Sequence, residues 1–228
     1  TNNASPQLAS ITGMAFTDTS GDDSFSIETG ALAATDSDSG DTLTYSISGQ
    51  SADSSQTGYT HARTVSFGTF YINSASGVYR YIPNDSALQG ATASQTDSFT
   101  LSVSDGTASA SQTLTATVGG VNDTPVLASL SGVSFTDTAN DDSFTAATAT
   151  AGGSDRDTSD ALVYSITGQS ADSSQAGYTH AASGTYGTLY INSSSGAYKY
   201  IPDENAIEAL TSQQSESFTV VASDGTNN

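Results

Sequence analysis

Carboxylates recur in this chain at spacings that suit a hard cation. Asp36, Asp38 and Asp41 stand at i, i+2 and i+5 in the run Thr35-Asp36-Ser37-Asp38-Ser39-Gly40-Asp41, and Asp155, Asp157 and Asp160 repeat that spacing. In a turn, carboxylates so placed can converge on one ion, and calcium collects about six to eight oxygens at about 2.3–2.6 Å. A merely solvated acidic turn would have the same composition. All three aspartates are kept in both places while the residues between them change, which favours ligands. The run is not an EF-hand loop, whose glycine and terminal glutamate fall elsewhere.

The second place follows from a duplication. Shifted by 119 residues, the chain falls on itself without a gap: Pro6 on Pro125, Phe25 on Phe144, Tyr45 on Tyr164, Pro83 on Pro202. Gly49–Gln56 returns unchanged as Gly168–Gln175, and roughly half of the aligned positions are identical. A repeat of this length is a whole domain used in series, not a solenoid turn. The expected domains are residues 1–121 and 122–228. By the same offset, a strand answering to Ala110–Val118 would begin at position 229. Repeat two is therefore expected to lack its last strand and to show an unpaired apolar edge. That suggests a fragment of a longer array, or completion by a strand from elsewhere.

Composition narrows the class. With 24 acidic residues against 4 basic ones the net charge is −20. Such a field repels phosphate backbones and anionic bilayers, so neither nucleic acid nor a membrane surface is an expected partner. Cysteine is absent, which removes disulfides and thiol chemistry. No apolar run reaches the ~20 residues of a membrane helix, and none reads as a signal peptide; either would lie outside this segment.

The elements that must position the carboxylates read as strands. Leu43–Ile47, Phe99–Val103 and Leu114–Val118 alternate apolar residues with small hydroxylated ones, the pattern of half-buried strands. Phe70–Ile72 and Val78–Ile82 flank Ser74–Gly77, which predicts a hairpin turn. Asp105-Gly106 predicts another turn. About seven evenly spaced strands per repeat suit a sandwich of two antiparallel sheets. The expected fold class is all-β, two tandem β-sandwiches. Helical turns are expected only at Asn84–Gln89 and Asn205–Leu210, each after a proline.

Three motifs carry a family resemblance. Ala34–Ile47 (ATDSDSGDTLTYSI) resembles the DxD segment of cadherin repeats and of the VCBS-type and cadherin-like repeats of large bacterial RTX adhesins. Val121–Pro125 (VNDTP) resembles the cadherin inter-repeat linker, and SDGT at Ser104 and Ser223 is similar to that family's strand-end Asp-Gly. The resemblance implies that the two all-β sandwiches are Ig-like or cadherin-like, with calcium at the junction of the copies, bound by Asn122, Asp123, Asp155, Asp157, Asp160 and Asp224. Asp18 and Asp85 stand near the family's early glutamate and acidic strand-end motif. An equivalent site facing a preceding repeat would use Asn3, Asp36, Asp38, Asp41 and Asp105. The sequence departs from the pattern at Gly120, where the linker has an acid, at Thr124, where it has Asn, and at Ala4, which answers to Asp123. One or two ions per junction are expected.

Other chemistry is poorly supported. Tyr59 and His61 recur as Tyr178 and His180 in a shared Gly-Tyr-Thr-His, either a glycan-binding loop or a structural loop kept by recent duplication. One histidine per repeat and no cysteine argue against zinc. No activated nucleophile or phosphate-cradling glycine loop is present, so an enzyme is not expected. The reading is a calcium-binding spacer, the extender repeats of a large adhesin at the bacterial cell surface, partnered by neighbouring repeats of its own chain. Carbohydrate binding and homophilic adhesion are the alternatives.

Overall fold

The computed structural model describes residues 3–157 and 159–226. The chain forms two compact units, Thr1–Asp123 and Thr124–Asn228. Nearly all of its regular structure is β.

In the first unit the strands are β1 (Gln7–Leu8), β2 (Met14–Thr17), β3 (Glu28–Ala31), β4 (Ala34–Thr35), β5 (Thr44–Ile47), β6 (Ser51–Ala52), β7 (His61–Val65), β8 (Gly68–Ile72) and β9 (Val78–Pro83). After the short helix α1 (Asp85–Gln89) come the two long strands β10 (Gln95–Ser104) and β11 (Ser109–Gly119). One sheet runs β2-β11-β10-β5, the other β3-β9-β8-β7-β6, and β1 pairs with β4. The apolar alternation explains the layering. Phe99, Leu101 and Val103 from β10 and Leu114, Ala116 and Val118 from β11 turn inward, each at most 1% exposed. Opposite them lie Phe70, Ile72 and Tyr81, all wholly buried. Phe70 and Phe99 meet across the sandwich with ring centroids 5.0 Å apart. Burying each such side chain contributes about 1.5–3 kcal/mol.

Two sequence expectations need correction. The first sheet is not wholly antiparallel: β2 runs parallel to β11, pairing Met14 with Ala116 and Phe16 with Val118. Local pattern cannot reveal this pairing, because its partners lie about a hundred residues apart. The strand number also exceeds seven, since the short β1, β4 and β6 and the polar-rich β7 carry little alternation.

Turn chemistry joins the strands as expected. Between β8 and β9, Asn73 Oδ1 accepts the amides of Ala75 and Ser76 at 3.0 and 3.1 Å. Gly77 closes this turn at φ +72°, with the Tyr45 ring 3.1 Å from where a Cβ would stand. Only glycine satisfies both demands. Asn84 caps α1, its side chain accepting from the Ala87 amide.

The second unit has β12 (Val126–Leu127), β13 (Ala147–Thr150), β14 (Gly153–Ser154), β15 (Val163–Ile166), β16 (Ser170–Ala171), β17 (His180–Ser183), β18 (Gly187–Ile191), β19 (Ala197–Pro202), α2 (Glu204–Glu208) and β20 (Val220–Ser223). Its five-stranded sheet β13-β19-β18-β17-β16 repeats that of the first unit. Beside it lie the two-stranded sheets β15-β20 and β12-β14. The helix begins one residue earlier than expected and ends two earlier, because Asp203, not Glu204, is its cap and accepts from the Ala206 amide.

Candidate metal centre

In the first unit, three chain segments bring carboxylates together. The β1–β4 ladder pairs Gln7 with Thr35 and so lays the N-terminal arm beside the loop that starts at Asp36. That loop folds on its own oxygens: the Asp38 amide donates to Asp36 Oδ1 at 2.9 Å. The arm is tied down when the Ala4 amide donates to Asp38 Oδ2 at 2.6 Å. From the β10–β11 turn, Asp105 Oδ1 accepts the amides of Thr107 and Ala108, both at 2.6 Å. Its other oxygen accepts from Asn3 Nδ2 at 3.0 Å. Asn3, Asp36, Asp38, Asp41 and Asp105 thus all lie in one neighbourhood.

Ligand oxygens of Asp36, Asp38 and Asp41 lie within 4.8 Å of one another. Two oxygens on opposite sides of a calcium ion stand about 4.6–5.2 Å apart, so this spacing suits one ion between them. Asp36 Oδ2 is buried with no hydrogen-bond partner among the described residues. A buried acceptor of this kind carries a desolvation cost that a cation would offset. The electrostatics agree. Desolvation, and then the carboxylates of Asp38, Asp36 and Asp105, hold the Asp41 carboxyl above its ordinary value. Asp105 moves the other way, its charge favoured by the Ala108 amide, Asn3 and the Thr107 amide. The donors are all hard oxygens, which fits calcium and not a softer metal.

The second unit repeats much of this geometry. The Asp157 amide donates to Asp155 Oδ1 at 3.0 Å, and the Asp160 amide to the Asp157 carbonyl at 2.9 Å. Asp155 Oδ2 is buried without a hydrogen-bond partner among the described residues, as is its counterpart Asp36 Oδ2. Asp157 is wholly buried. Asp224 holds its turn by accepting from the Thr226 amide at 2.6 Å. At the end of the first unit, Asn122 Nδ2 donates to the Asp123 carbonyl at 2.8 Å, and Asp123 is buried.

Asp18 is also buried, and its Oδ2 accepts from the Val121 amide at 3.3 Å, beside the Gly120 position. Glycine stands at 120 for a steric reason: a Cβ there would run into the Ala91 carbonyl. Asp85 lies exposed in the first turn of α1. The helix residue that reaches the 18–23 loop is instead Gln89, whose Nε2 donates to Asp22 Oδ1 at 3.1 Å.

Sequence reasoning missed the equivalent place in the second unit. There Asp137, Asp142 and Glu208 bring carboxylate oxygens within 4.8 Å of one another. The Asp142 amide donates to Glu208 Oε1 at 3.0 Å. The signal was available as Asp-Thr-x-x-Asp-Asp, present at Asp18–Asp23 and again at Asp137–Asp142.

The Gly-Tyr-Thr-His loop is knit into its own sheet. Thr60 Oγ1 lies 2.9 Å from His61 Nδ1 and accepts from the Ser74 amide at 3.0 Å. Asn73 Nδ2 donates to the Gly58 carbonyl at 2.7 Å. Thr179, His180, Ser193 and Asn192 repeat these bonds. These bonds give Thr60, His61 and their counterparts Thr179 and His180 a structural role in both copies.

A profile of the bacterial Ig domain matches residues 3–117, half of the chain. The chain belongs to the bacterial Ig domain family. Comparison with curated proteins returns no match. Among solved structures, the bacterial Ig chain is similar to human protocadherin-24 EC1-2, at 18% identity and TM-score 0.35, over 97% of this chain and 94% of that one. Human CDH23 EC21-23 matches at 15% identity and TM-score 0.33, over 100% of this chain and 60% of that one. An endo-fucoidan hydrolase of glycoside hydrolase family 107 matches at 19% identity and TM-score 0.33, over 86% of this chain and 24% of that one. Bacterial Ig domains are typically extracellular, and Ig-like families are generally non-enzymatic. No helix among the described residues is long and apolar enough to cross a membrane.

Proposed function

We propose that this chain is a calcium-binding structural spacer, a pair of extender repeats from a large bacterial surface adhesin of the RTX or VCBS-like kind. The observation that carries the reading is the oxygen cluster of Asn3, Asp36, Asp38, Asp41 and Asp105, with Asp36 Oδ2 buried and unpartnered among the described residues. Repeat correspondence extends it to Asn122, Asp155, Asp157, Asp160 and Asp224, and the resemblance of Val121–Pro125 to the cadherin linker adds Asp123. Domains at 1–121 and 122–228 then meet at a linker that itself supplies ligands. Without cation, the gathered carboxylates repel; with it, ligands from the linker and the following repeat share one ion and restrict the joint. A spacer needs that property, because an array of loosely joined domains would not hold its length.

The test is calcium titration by calorimetry on the whole chain, with a melting curve at each calcium level. Binding to the folded form alone raises stability by about 2.7 kcal/mol at a hundred times Kd. For a domain of this size that is a rise of very roughly 10 °C in Tm. Asp36→Asn with Asp38→Asn should remove one class of site, and Asp155→Asn with Asp157→Asn the other. No heat of binding together with superimposable melting curves in calcium and chelator would defeat the proposal.

A further inference from the structure

We infer that the outward face of the five-stranded sheet in each unit is a binding site for a uronate-bearing oligosaccharide, with Arg80 and Lys199 meeting its carboxylate. The ladder sets the face. Phe70 and Tyr81 are wholly buried and point into the sandwich. Their neighbours Tyr71 and Arg80 stand directly opposite each other on β8 and β9 and therefore point out. In the second unit Tyr190 and Lys199 stand opposite each other in the same way. A second ring joins each pair from the preceding loop. Tyr59 lies 6.2 Å from Tyr71 and Tyr178 lies 6.4 Å from Tyr190, both pairs tilted by 57°. All four rings are half-buried, which leaves part of each open to solvent.

Charge picks out the ligand. The chain has 24 acidic residues and 4 basic ones, yet two of the four stand at this one repeated position. Arg80 Nε has no hydrogen-bond partner among the described residues. Lys199 Nζ donates to a neutral amide oxygen, Gln175 Oε1, at 3.0 Å. The Tyr178 amide in turn donates to the Gln175 carbonyl at 3.1 Å, so the ammonium is held beside the ring pair. No residue that shares the face on β3, β7, β8 and β9 is acidic, nor is any on β13, β17, β18 and β19. Drift between the copies exchanged Arg for Lys and kept the charge. A stem that only covered the tyrosine would need no charge, since methionine or leucine would pack there as well.

Sugar chemistry fits the other features. The C–H face of a pyranose stacks on a tyrosine ring, and a cation beside the ring takes the carboxylate in a charge-assisted hydrogen bond. Hydroxyls stand on the same face: Thr64 and Thr69 Oγ1 are 3.0 Å apart, and Thr188 Oγ1 donates to Ser183 Oγ at 3.4 Å. Ser183, Thr188 and Tyr190 line a concavity of about 320 Å³ together with Asp203. In the first unit Asn84 answers to Asp203, and the planar fork of Arg80 suits a carboxylate better than an ammonium does. The first-unit site should therefore be the tighter. The net charge of −20 opposes an anion at a distance. At physiological salt a Debye length of about 8 Å confines that field, and the local cation decides.

The experiment uses the whole chain in chelator, which removes calcium as a bridge between carboxylates and keeps the outcome separate from the metal reading. The probe is a tetrasaccharide of alternating glucuronate and N-acetylglucosamine. Titration followed by protein NMR should shift the amides of Tyr59, β8 and β9 at millimolar sugar and, more weakly, those of Tyr178, β18 and β19. The carboxyl-reduced tetrasaccharide, in which each glucuronate is glucose, should bind about tenfold more weakly. Arg80→Gln should weaken the first site by the same factor and leave the second unchanged, and Lys199→Gln should do the reverse. Both side chains lie outside the apolar cores, and unshifted spectra elsewhere report an intact fold. Equal affinity for the reduced sugar, or no shift on either face at millimolar probe, would overturn the inference. Shifts there that follow protein concentration and not sugar would overturn it in favour of a contact between copies.

Discussion

Replacing Phe99 and its counterpart Phe218 by alanine should have unequal costs, and the difference measures how much β11 does for the first core. Phe99 is wholly buried, with ring centroids 5.0 Å from Phe70 and 5.8 Å from Tyr81. β11 covers it on one side, so loss of the ring leaves an enclosed space that the sandwich fills only in part. A Phe→Ala change in such a core costs about 3–5 kcal/mol. Phe218 lies 6.0 Å from Tyr200 but is only partly buried and lines an open pocket with Leu130, Val133 and Phe135, so water already touches it. Its loss removes less buried area and leaves no sealed cavity, for a cost of about 1–2 kcal/mol. Hydrogen exchange read by mass spectrometry separates the units within the intact chain, because each strand reports its own opening. At about 1.4 kcal/mol per factor of ten, Phe99→Ala should speed the slowest amides of β8 and β10 by about 100-fold or more. Phe218→Ala should speed those of β18 and β20 by about tenfold. Equal acceleration in the two units would show that Phe218 is as well enclosed as Phe99, and would refute the reasoning.

Two further outcomes follow from the paired copies. Burial pushes the Tyr81 and Tyr200 phenols well above their ordinary range, so both stay protonated. Tyr200 Oη donates to Glu216, whereas Tyr81 Oη is buried with no hydrogen-bond partner among the described residues. Tyr200→Phe should cost about 1.5–3 kcal/mol by thermal unfolding, and Tyr81→Phe should be neutral or slightly stabilising. At Asp41 the sign is unusual for an acid. Its folded-state value is raised, so the native state holds more protons and the carboxyl's contribution falls as pH rises through and above the ordinary carboxylate range. In chelator, Asp41→Asn should melt higher than the parent chain at neutral pH and converge with it below pH 3.8, the ordinary aspartate value. In saturating calcium the neutral-pH order should reverse. Identical Tm-versus-pH profiles in chelator would contradict the carboxylate crowding.

Much of the architecture was legible because alternation and burial are one phenomenon in a strand. Leu43–Ile47, Phe99–Val103 and Leu114–Val118 all lie in or across β5, β10 and β11. β7 escaped because His61-Ala-Arg-Thr-Val65 mixes polar residues into both faces. The parallel partner of β2 escaped because pairing across a hundred residues leaves no local mark. At the site, the Asp36 set was legible from its duplicate at Asp155, since identity of type at fixed spacing survived drift between copies. Asp142 and Glu208 were not read, because their meeting depends on how α2 packs over a loop 66 residues earlier in the chain.

The parallel ladder between β2 and β11 has a mechanical consequence. These strands lie near opposite ends of the first unit's chain, so tension drawn through its termini would pull them past each other along their length. The hydrogen bonds from Met14↔Ala116 to Thr17↔Gly119 would then be loaded together in shear, not peeled one at a time. A module tethered in this way yields at a higher force than a hairpin opened from its end, which is useful in any filament that must bear drag.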